Sequence, residues 1–274
     1  MSSSKTSTER NARKKRPSCR PPVNTTYLTI GQDLFSINEY VMSQYNYSLH
    51  INQSVYSTSN SETALSLSRY VPSAFMVYTD LQSLRGLWSP TDYGSGVEYA
   101  DGVLNLFPNK IDGDKRGMTS DTGLQIGLWL NGTSGCFSTY TGKLDEQIQL
   151  LIEYLEHTRA SKVFLRVGYE FDNPSFGYDD PAIYILAYRK VVTDIREFLS
   201  DDANDRILFV WHSWAAPMAT KKLTLESYYP GDKYVDWVGV SIFQQVFPWG
   251  AAAGGGSMLE VENVLKFALA RDKV

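Results

Sequence analysis

The sequence has few of the residues that metal and redox chemistry require. Its 274 residues include two cysteines, Cys19 and Cys136, and three histidines that lie far apart. Two cysteines are too few for a disulfide framework or a structural zinc site, and no two histidines stand at the spacing of metal ligands. We therefore expect no metal and no cofactor, and the cysteines leave the redox compartment open.

Several other motifs are missing as well. There is no Gly-x-Gly-x-x-Gly fingerprint after the first candidate strand, no phosphate-binding loop and no Gly-x-Ser-x-Gly elbow, which disfavours nucleotide binding and acyl transfer by a serine. No apolar run reaches the roughly 18 residues of a membrane span, and the first 25 residues lack the apolar core of a signal peptide. We expect no membrane partner.

The charge balance also excludes a class of partner. Lys and Arg number 26 against 30 Asp and Glu, which gives a net charge of -4. No global positive field attracts nucleic acid, so we expect a neutral partner and a monomeric protein. Residues 1–22 are Ser-rich and basic, with the run "RKKR", and are expected to be a disordered tail. Residues 23–274 are expected to form one domain.

Short apolar runs alternate with amphipathic stretches in that domain. Candidate strands are residues 27–33, 74–80, 123–130, 162–170, 206–214 and 234–243, each nearly continuously apolar. Alternation of strand and helix predicts an α/β fold with a parallel sheet, and the absence of a nucleotide fingerprint favours a (β/α)8 barrel of the TIM type. About six of its eight units are present.

Helical periods lie between these runs. One stripe contains Leu144, Ile148, Leu151, Ile152 and Leu155. A second helix is predicted to begin with Asp180 as N-cap and Pro181 at its first position. Its apolar stripe comprises Tyr184, Ala187, Tyr188, Val191, Ile195 and Phe198. A last helix has Leu259, Val264, Leu265 and Ala268 at similar spacing.

Functional groups of an α/β barrel collect where strands end, and polar and aromatic residues stand there in this sequence. The strand period puts Arg166, Gly168 and Glu170 on one face, with Glu170 at the end of "VFLRVGYE". Burial among Tyr169 and Phe171 would raise the pKa of Glu170, as a glycosidase acid requires. A buried ion pair between Glu170 and Arg166 is an equally weighted alternative.

Flat side chains near Glu170 are candidate platforms for sugar rings. The chain contains 18 Tyr and 6 Trp, and such rings either stack on sugars or pack in the core. The predicted substrate-binding residues are Tyr169, Phe176, Trp129, Trp211, His212 and Phe243. We expect the partner to be a polysaccharide or oligosaccharide.

Two long motifs carry a family resemblance. "VFLRVGYEFD" and "YYPGDKYVDWVGVSIF" resemble glycoside hydrolase family 26, the β-mannanase and mixed-linkage β-glucanase family, as do "IGQDLFSINEYV", "LQIGLWLNG" and "ILFVWHSW". The resemblance covers roughly residues 27–274. It implies a retaining endo-glycosidase on an eight-fold barrel, with Glu170 as acid/base and a second Glu, at the end of the seventh strand, as nucleophile.

The chain also departs from that family. No counterpart of the nucleophile is present, because the sequence stops after "VLKFALARDKV". Tyr169 stands where many members have His, and Phe243 where relatives often have Tyr. We expect a C-terminally truncated, divergent member that is inactive alone and is secreted as a full-length protein. The rival hypothesis is a catalytically silent glycan-binding protein on the same scaffold.

Overall fold

The computed structural model describes residues 74–93, 96–106, 122–216, 223–242 and 258–273. The elements in chain order are β1 (Ala74–Asp80), β2 (Thr91–Tyr93), β3 (Gly96–Glu98), α1 (Ala100–Leu106), β4 (Gly123–Trp129), α2 (Gly132–Tyr140), α3 (Asp145–His157), β5 (Val163–Val167), a 3₁₀ turn (Pro174–Phe176), α4 (Pro181–Phe198), α5 (Asp201–Asn204), β6 (Ile207–Ser213), α6 (Leu225–Tyr228), β7 (Trp237–Val240) and α7 (Met258–Ala270).

A five-stranded parallel sheet forms the centre of the molecule. The strands lie side by side in the order β1, β4, β5, β6, β7, so each neighbour follows in the chain after a crossover. This arrangement confirms the α/β class and five of the six candidate strands. The sixth candidate, residues 27–33, and the basic tail lie outside the described residues. Among the residues described, the sheet is an open arc, so the closed eight-stranded barrel stays a prediction.

The register divides the sheet into two faces. Tyr78 pairs with Gly127, Gly127 with Arg166, Arg166 with Val210 and Val210 with Trp237, so these residues point to one face, which we call the inner face. Alternate residues of each strand point to the helices on the outer face. The side chains of β1 and β5 that do so are fully buried there: Phe75, Val77, Val163, Leu165 and Val167.

Helices α3 and α4 form as predicted. The Asp180 Oδ1 accepts from the peptide N–H groups of Ala182 and Ile183 at 2.9 and 3.2 Å, and Pro181 takes the first helical position. The predicted buried stripes of both helices are confirmed at Ile148, Leu151, Ile152, Leu155, Tyr184, Ala187, Tyr188, Val191 and Ile195.

The predicted stripes are wrong at three positions. Phe198, in the last turn of α4, is exposed because the following chain turns away to α5. In α7, Leu259 and Leu265 face outward, while Val264 and Ala268 are buried as expected together with Val261 and Phe267. The buried face of α7 is thus rotated relative to the predicted one, because Phe267 packs against Trp211 and Tyr229.

Several elements were not predicted. Strands β2 and β3 form a small antiparallel pair after β1, and α1 follows them. Helix α2, "GTSGCFSTY", contains too few apolar residues at helical spacing to be seen in the sequence; it packs against α4. Within the described residues, no helix has the length and apolarity that a bilayer crossing demands.

The N-cap gives a test of the fold. Asp180→Ala removes the acceptor for two peptide N–H groups and should lower the free energy of unfolding by about 1 kcal/mol. The matched control is Asp179→Ala, since Asp179 is the exposed neighbour outside the cap. Chemical denaturation monitored by circular dichroism measures both. Equal losses in the two variants would contradict the assigned cap.

Candidate active site

The chain leaves the strand conformation directly before the predicted catalytic residue. β5 ends at Val167, and both Gly168 and Glu170 have left-handed backbone, with φ of 55° and 53°. The prediction that the strand extends to residue 170 with Arg166, Gly168 and Glu170 in alternation is therefore wrong. Glycine is required at 168 for a second reason: a Cβ there would lie 2.6 Å from Cε2 of Tyr184.

Glu170 lies at the C-terminal edge of the sheet and is only 4% exposed. Its Oε1 accepts a hydrogen bond from Ser241 Oγ at 2.6 Å, and its Oε2 accepts a longer one from Asn173 Nδ2 at 3.3 Å. Its peptide N–H donates to the carbonyl of His212 at 2.8 Å. The side chain is thus shielded from bulk solvent and held by the ends of β6 and β7.

The pKa of Glu170 is raised from its ordinary value. Burial is the largest cause, since an ionised carboxylate loses hydration in this position. The hydrogen bond from Ser241, the positive charge of Arg166 and the hydrogen bond from Asn173 oppose the shift. The direction is the one that a general acid needs, because a raised pKa keeps the proton on the carboxyl group closer to neutral pH.

Arg166 does not form the alternative ion pair. Within the described residues, no contact of 4 Å or less joins its guanidinium to Glu170 or to any other carboxylate. Nη2 instead lies 3.1 Å from Nδ1 of His212, and Nη1 donates to the sulfur of Met76 at 2.9 Å. The guanidinium carbon is also 5.0 Å from the ring centre of Tyr169 and 5.6 Å from that of Tyr78. The guanidinium of Arg166 therefore packs on the inner face of the sheet against His212, Tyr78 and Tyr169.

The contact with Arg166 fixes the state of His212. A guanidinium can only donate, so Nδ1 of His212 accepts and the ring proton resides on Nε2. Burial, and then the positive charge of Arg166, lower the pKa of His212 well below its ordinary value. His212 is consequently neutral near pH 7. Gly239 makes room for this ring, because a Cβ there would lie 2.7 Å from Cδ2 of His212.

Three of the predicted sugar platforms form one aromatic cluster. The ring centres of Tyr169 and Phe176 are 5.1 Å apart, and those of Trp129 and Phe176 are 6.4 Å apart. Tyr78, which the sequence did not single out, adds a ring 5.1 Å from Tyr169. Gly127 permits that approach, since a Cβ there would lie 2.5 Å from Cδ1 of Tyr78. We call Tyr78, Trp129, Tyr169 and Phe176 the aromatic cluster.

The predicted platform Trp211 does not join this cluster. Trp211 points to the outer face, where it is fully buried and stacks on Phe171 with ring centres 4.3 Å apart. A ring enclosed by the core has no face left for a sugar, so Trp211 is a packing residue in this structure. Phe243 lies outside the described residues.

The loop that carries Phe176 is tied to α2. The carbonyl of Gly177 accepts from the N–H of Thr133 at 2.8 Å and from its hydroxyl at 2.9 Å. The Tyr178 hydroxyl accepts from the N–H of Leu130 at 2.9 Å, while the carbonyl of Tyr178 accepts from Tyr228 at 2.6 Å. These bonds connect the loop that carries Phe176 to Leu130 after β4, to α2 and to α6, and so fix one part of the aromatic cluster.

Two further carboxylates at this edge are fully engaged. Asp80 accepts from the N–H and hydroxyl of Ser83 and lies 3.8 Å from Arg85. Asp172 accepts from Ser213 Oγ at 2.7 Å and from the N–H groups of Trp214 and Ala216 at 2.5 and 2.9 Å. Glu170, by comparison, accepts one short hydrogen bond from Ser241 and one longer bond from Asn173.

Sequence reasoning missed Asp172, Asn173, Ser213 and Ser241. Each is a small polar residue inside or next to a recognised motif, and their roles depend on contacts between separate strand ends that no local pattern records. In the described part of the chain, no group of three or more His, Cys, Asp or Glu side chains could hold a metal ion.

In sequence, the chain is similar to two β-1,3-xylanases. The chain is 28% identical over 224 residues to a β-1,3-xylanase from Alcaligenes sp. and 27% identical over 218 residues to the β-1,3-xylanase TXYA from Vibrio sp.. These matches cover 81% and 79% of this chain but only 38% and 37% of the relatives, so the chain spans less than two fifths of their length. No protein-family profile matches it.

Among solved structures, the catalytic domain of a family GH26 endo-β-1,4-mannanase from Bacillus sp. JAMB-750 is similar. The TM-score is 0.47 at 17% identity, and the match covers 74% of this chain and 56% of that one.

The raised pKa of Glu170 predicts a pH-dependent stability. Ionisation of Glu170 opposes folding, because the folded state binds the proton more tightly than the unfolded state does. The stability that the protonated side chain provides is therefore fully present below the unfolded pKa and is lost as pH rises through the folded pKa. Glu170→Gln cannot ionise and should melt at a higher temperature than the wild type at pH 8, with the difference vanishing near pH 4. Each kcal/mol added to the free energy of unfolding raises the melting temperature by about 2–4 °C.

Differential scanning calorimetry across this pH range measures the effect. Glu153→Gln, at an exposed position of α3, is the control for removing a carboxyl group from the surface. A constant difference between wild type and Glu170→Gln at both pH values would contradict the raised pKa.

Proposed function

We propose that this chain belongs to a glycoside hydrolase that cleaves internal β-linkages of a polysaccharide, with Glu170 as the proton donor. The observation that carries the proposal is a carboxyl group, 4% exposed and with a raised pKa, that lies at the C-terminal edge of a parallel sheet beside an aromatic cluster. Such an edge is where α/β barrels hold their active sites.

The contacts of Glu170 suit donation to a leaving oxygen. Oε1 is held by the short bond from Ser241, whereas Oε2 has only the longer contact with Asn173. Oε2 is therefore the oxygen from which a proton passes to the departing sugar. After the leaving group departs, the donors that surround the carboxylate stabilise its negative charge, and the same group can then activate a water molecule.

We further propose a retaining double displacement in the manner of family 26. That mechanism requires a second carboxyl group about 5–5.5 Å from the first. Asp80 and Asp172 are held by neighbouring donors, so the nucleophile would come from outside the described residues. The aromatic cluster would hold sugar rings beside Glu170 by stacking, which is worth about 0.5–1.5 kcal/mol for a ring pair.

The names of the relatives direct the choice of substrate. Both curated relatives are called β-1,3-xylanases, so β-1,3-xylan is the first substrate to test, followed by β-mannan and mixed-linkage β-glucan. A second candidate function is glycan binding without catalysis. It is favoured by the lack of a second available carboxyl group beside Glu170 in the described part of the chain.

Glu170→Gln separates the two functions. If Glu170 is the proton donor, release of reducing sugar should fall by at least about 100-fold in the variant while oligosaccharide binding by calorimetry is retained. Glu153→Gln should leave both unchanged. Turnover equal to that of the wild type in Glu170→Gln would contradict the assignment. Since the 274-residue chain alone is expected to be inactive, both proteins are tested at full length, and binding with no turnover in either would favour the silent glycan binder.

A further inference from the structure

The end of β6 carries a buried serine that touches both neighbouring strand ends. Ser213 is fully buried; its hydroxyl donates to Asp172 Oδ2 at 2.7 Å and accepts from the N–H of Ala215 at 2.8 Å. Its carbonyl accepts from the N–H of Ser241 at 2.9 Å. One residue thus binds the loop after β5 through its side chain and the end of β7 through its backbone.

These bonds close a ring around the candidate acid. Ser241, held by Ser213, donates its hydroxyl to Glu170 Oε1 at 2.6 Å. Asp172, held by the same serine, follows Glu170 by two residues in the chain. Glu170 is therefore fixed at its carboxyl end through Ser241 and at its backbone through Asp172, and both routes meet at Ser213.

The backbone of Glu170 needs such support. Its φ of 53° is left-handed, a conformation that residues other than glycine keep only where the surrounding structure holds it. Ala215, also at the end of β6, has φ of 59° and donates its N–H to the same serine hydroxyl. The Ser213 hydroxyl thus links the two loops that carry Glu170 and Ala215, since it bonds Asp172 in one loop and Ala215 in the other.

We propose that Ser213 is a positioning residue for Glu170, acting through Ser241 and Asp172 rather than by contact with substrate. The proposal deepens the assignment of Glu170 as proton donor and rests on it for its catalytic meaning. Its structural content is that the Ser213 hydroxyl holds Asp172 and thereby keeps Oε1 of Glu170, two residues earlier, aligned with the Ser241 hydroxyl. Loss of the Ser213 hydroxyl should weaken the bond from Ser241 to Glu170.

The test is a carboxyl-carbon NMR titration of Glu170, whose signal is identified by its absence in Glu170→Gln. Ser241→Ala removes a donor to the carboxylate and should raise the pKa of Glu170 by about one unit. Ser213→Ala should raise it in the same direction by a smaller amount. The double variant should match Ser241→Ala alone, because both changes act through one hydrogen bond.

Ser175→Ala is the matched control, since Ser175 is an exposed serine in the loop after Glu170 and should leave the pKa unchanged. An unshifted Glu170 in Ser213→Ala, or a double variant whose shift is the sum of the two single shifts, would overturn the proposal. Ser213→Cys keeps a side chain of similar size and donates weakly, so it supplies the same comparison if the alanine variant does not fold.

Kinetics on the active enzyme distinguish this proposal from the function it rests on. Ser213→Ala should lower kcat by about 10-fold or more with KM unchanged, and should move the alkaline limb of the pH–rate profile upward. If Glu170→Gln keeps full turnover, the proton-donor assignment fails while the titration still decides the role of Ser213. If Glu170→Gln is inactive and Ser213→Ala shifts neither the titration nor the pH profile, only the positioning role fails.

Discussion

The turn after β5 is the constraint on which the site depends. Had the strand continued, Glu170 would have taken its place in the alternation with Arg166, with its carboxyl group directly above the guanidinium. Left-handed backbone at Gly168 and Glu170 instead carries the carboxyl group toward β7, where Ser241 reaches it. The close contact between Gly168 and Tyr184 connects this turn to α4. The packing of α4 in the core therefore also positions the turn that carries Glu170.

The electrostatics follow from that displacement. The positive charge of Arg166 lowers the pKa of Glu170 but ranks below burial, and no ion pair joins the two groups. The guanidinium is accommodated by the faces of Tyr78 and Tyr169, by the sulfur of Met76 and by a neutral His212. A direct ion pair would have stabilised the carboxylate and lowered its proton affinity. The geometry thus leaves Glu170 with a raised pKa and no ion pair to Arg166, where strand periodicity predicted a possible salt bridge.

The features that sequence revealed are those set by local periodicity. The α/β order, the caps of α4 and the buried stripe of α3 depend on residues near one another in the chain. The identity of Glu170 as a buried carboxyl group followed from the strand-end rule and from the family resemblance. Trp211 shows the limit of that rule, because position at a strand end does not say to which face a ring points.

The remaining features depend on contacts between separate strand ends. Nothing local marks Ser241 as a donor to Glu170, since the two residues are 71 positions apart. The same holds for Asp172 and Ser213, and for the neutrality of His212, which burial and then the charge of Arg166 on the neighbouring strand impose. Parallel strands bring their C-terminal ends to one edge, so a few polar residues of ordinary appearance meet there. Burial keeps His212 uncharged and neighbouring donors hold Asp172, and we propose Glu170 as the carboxyl group of this edge that exchanges a proton with a ligand.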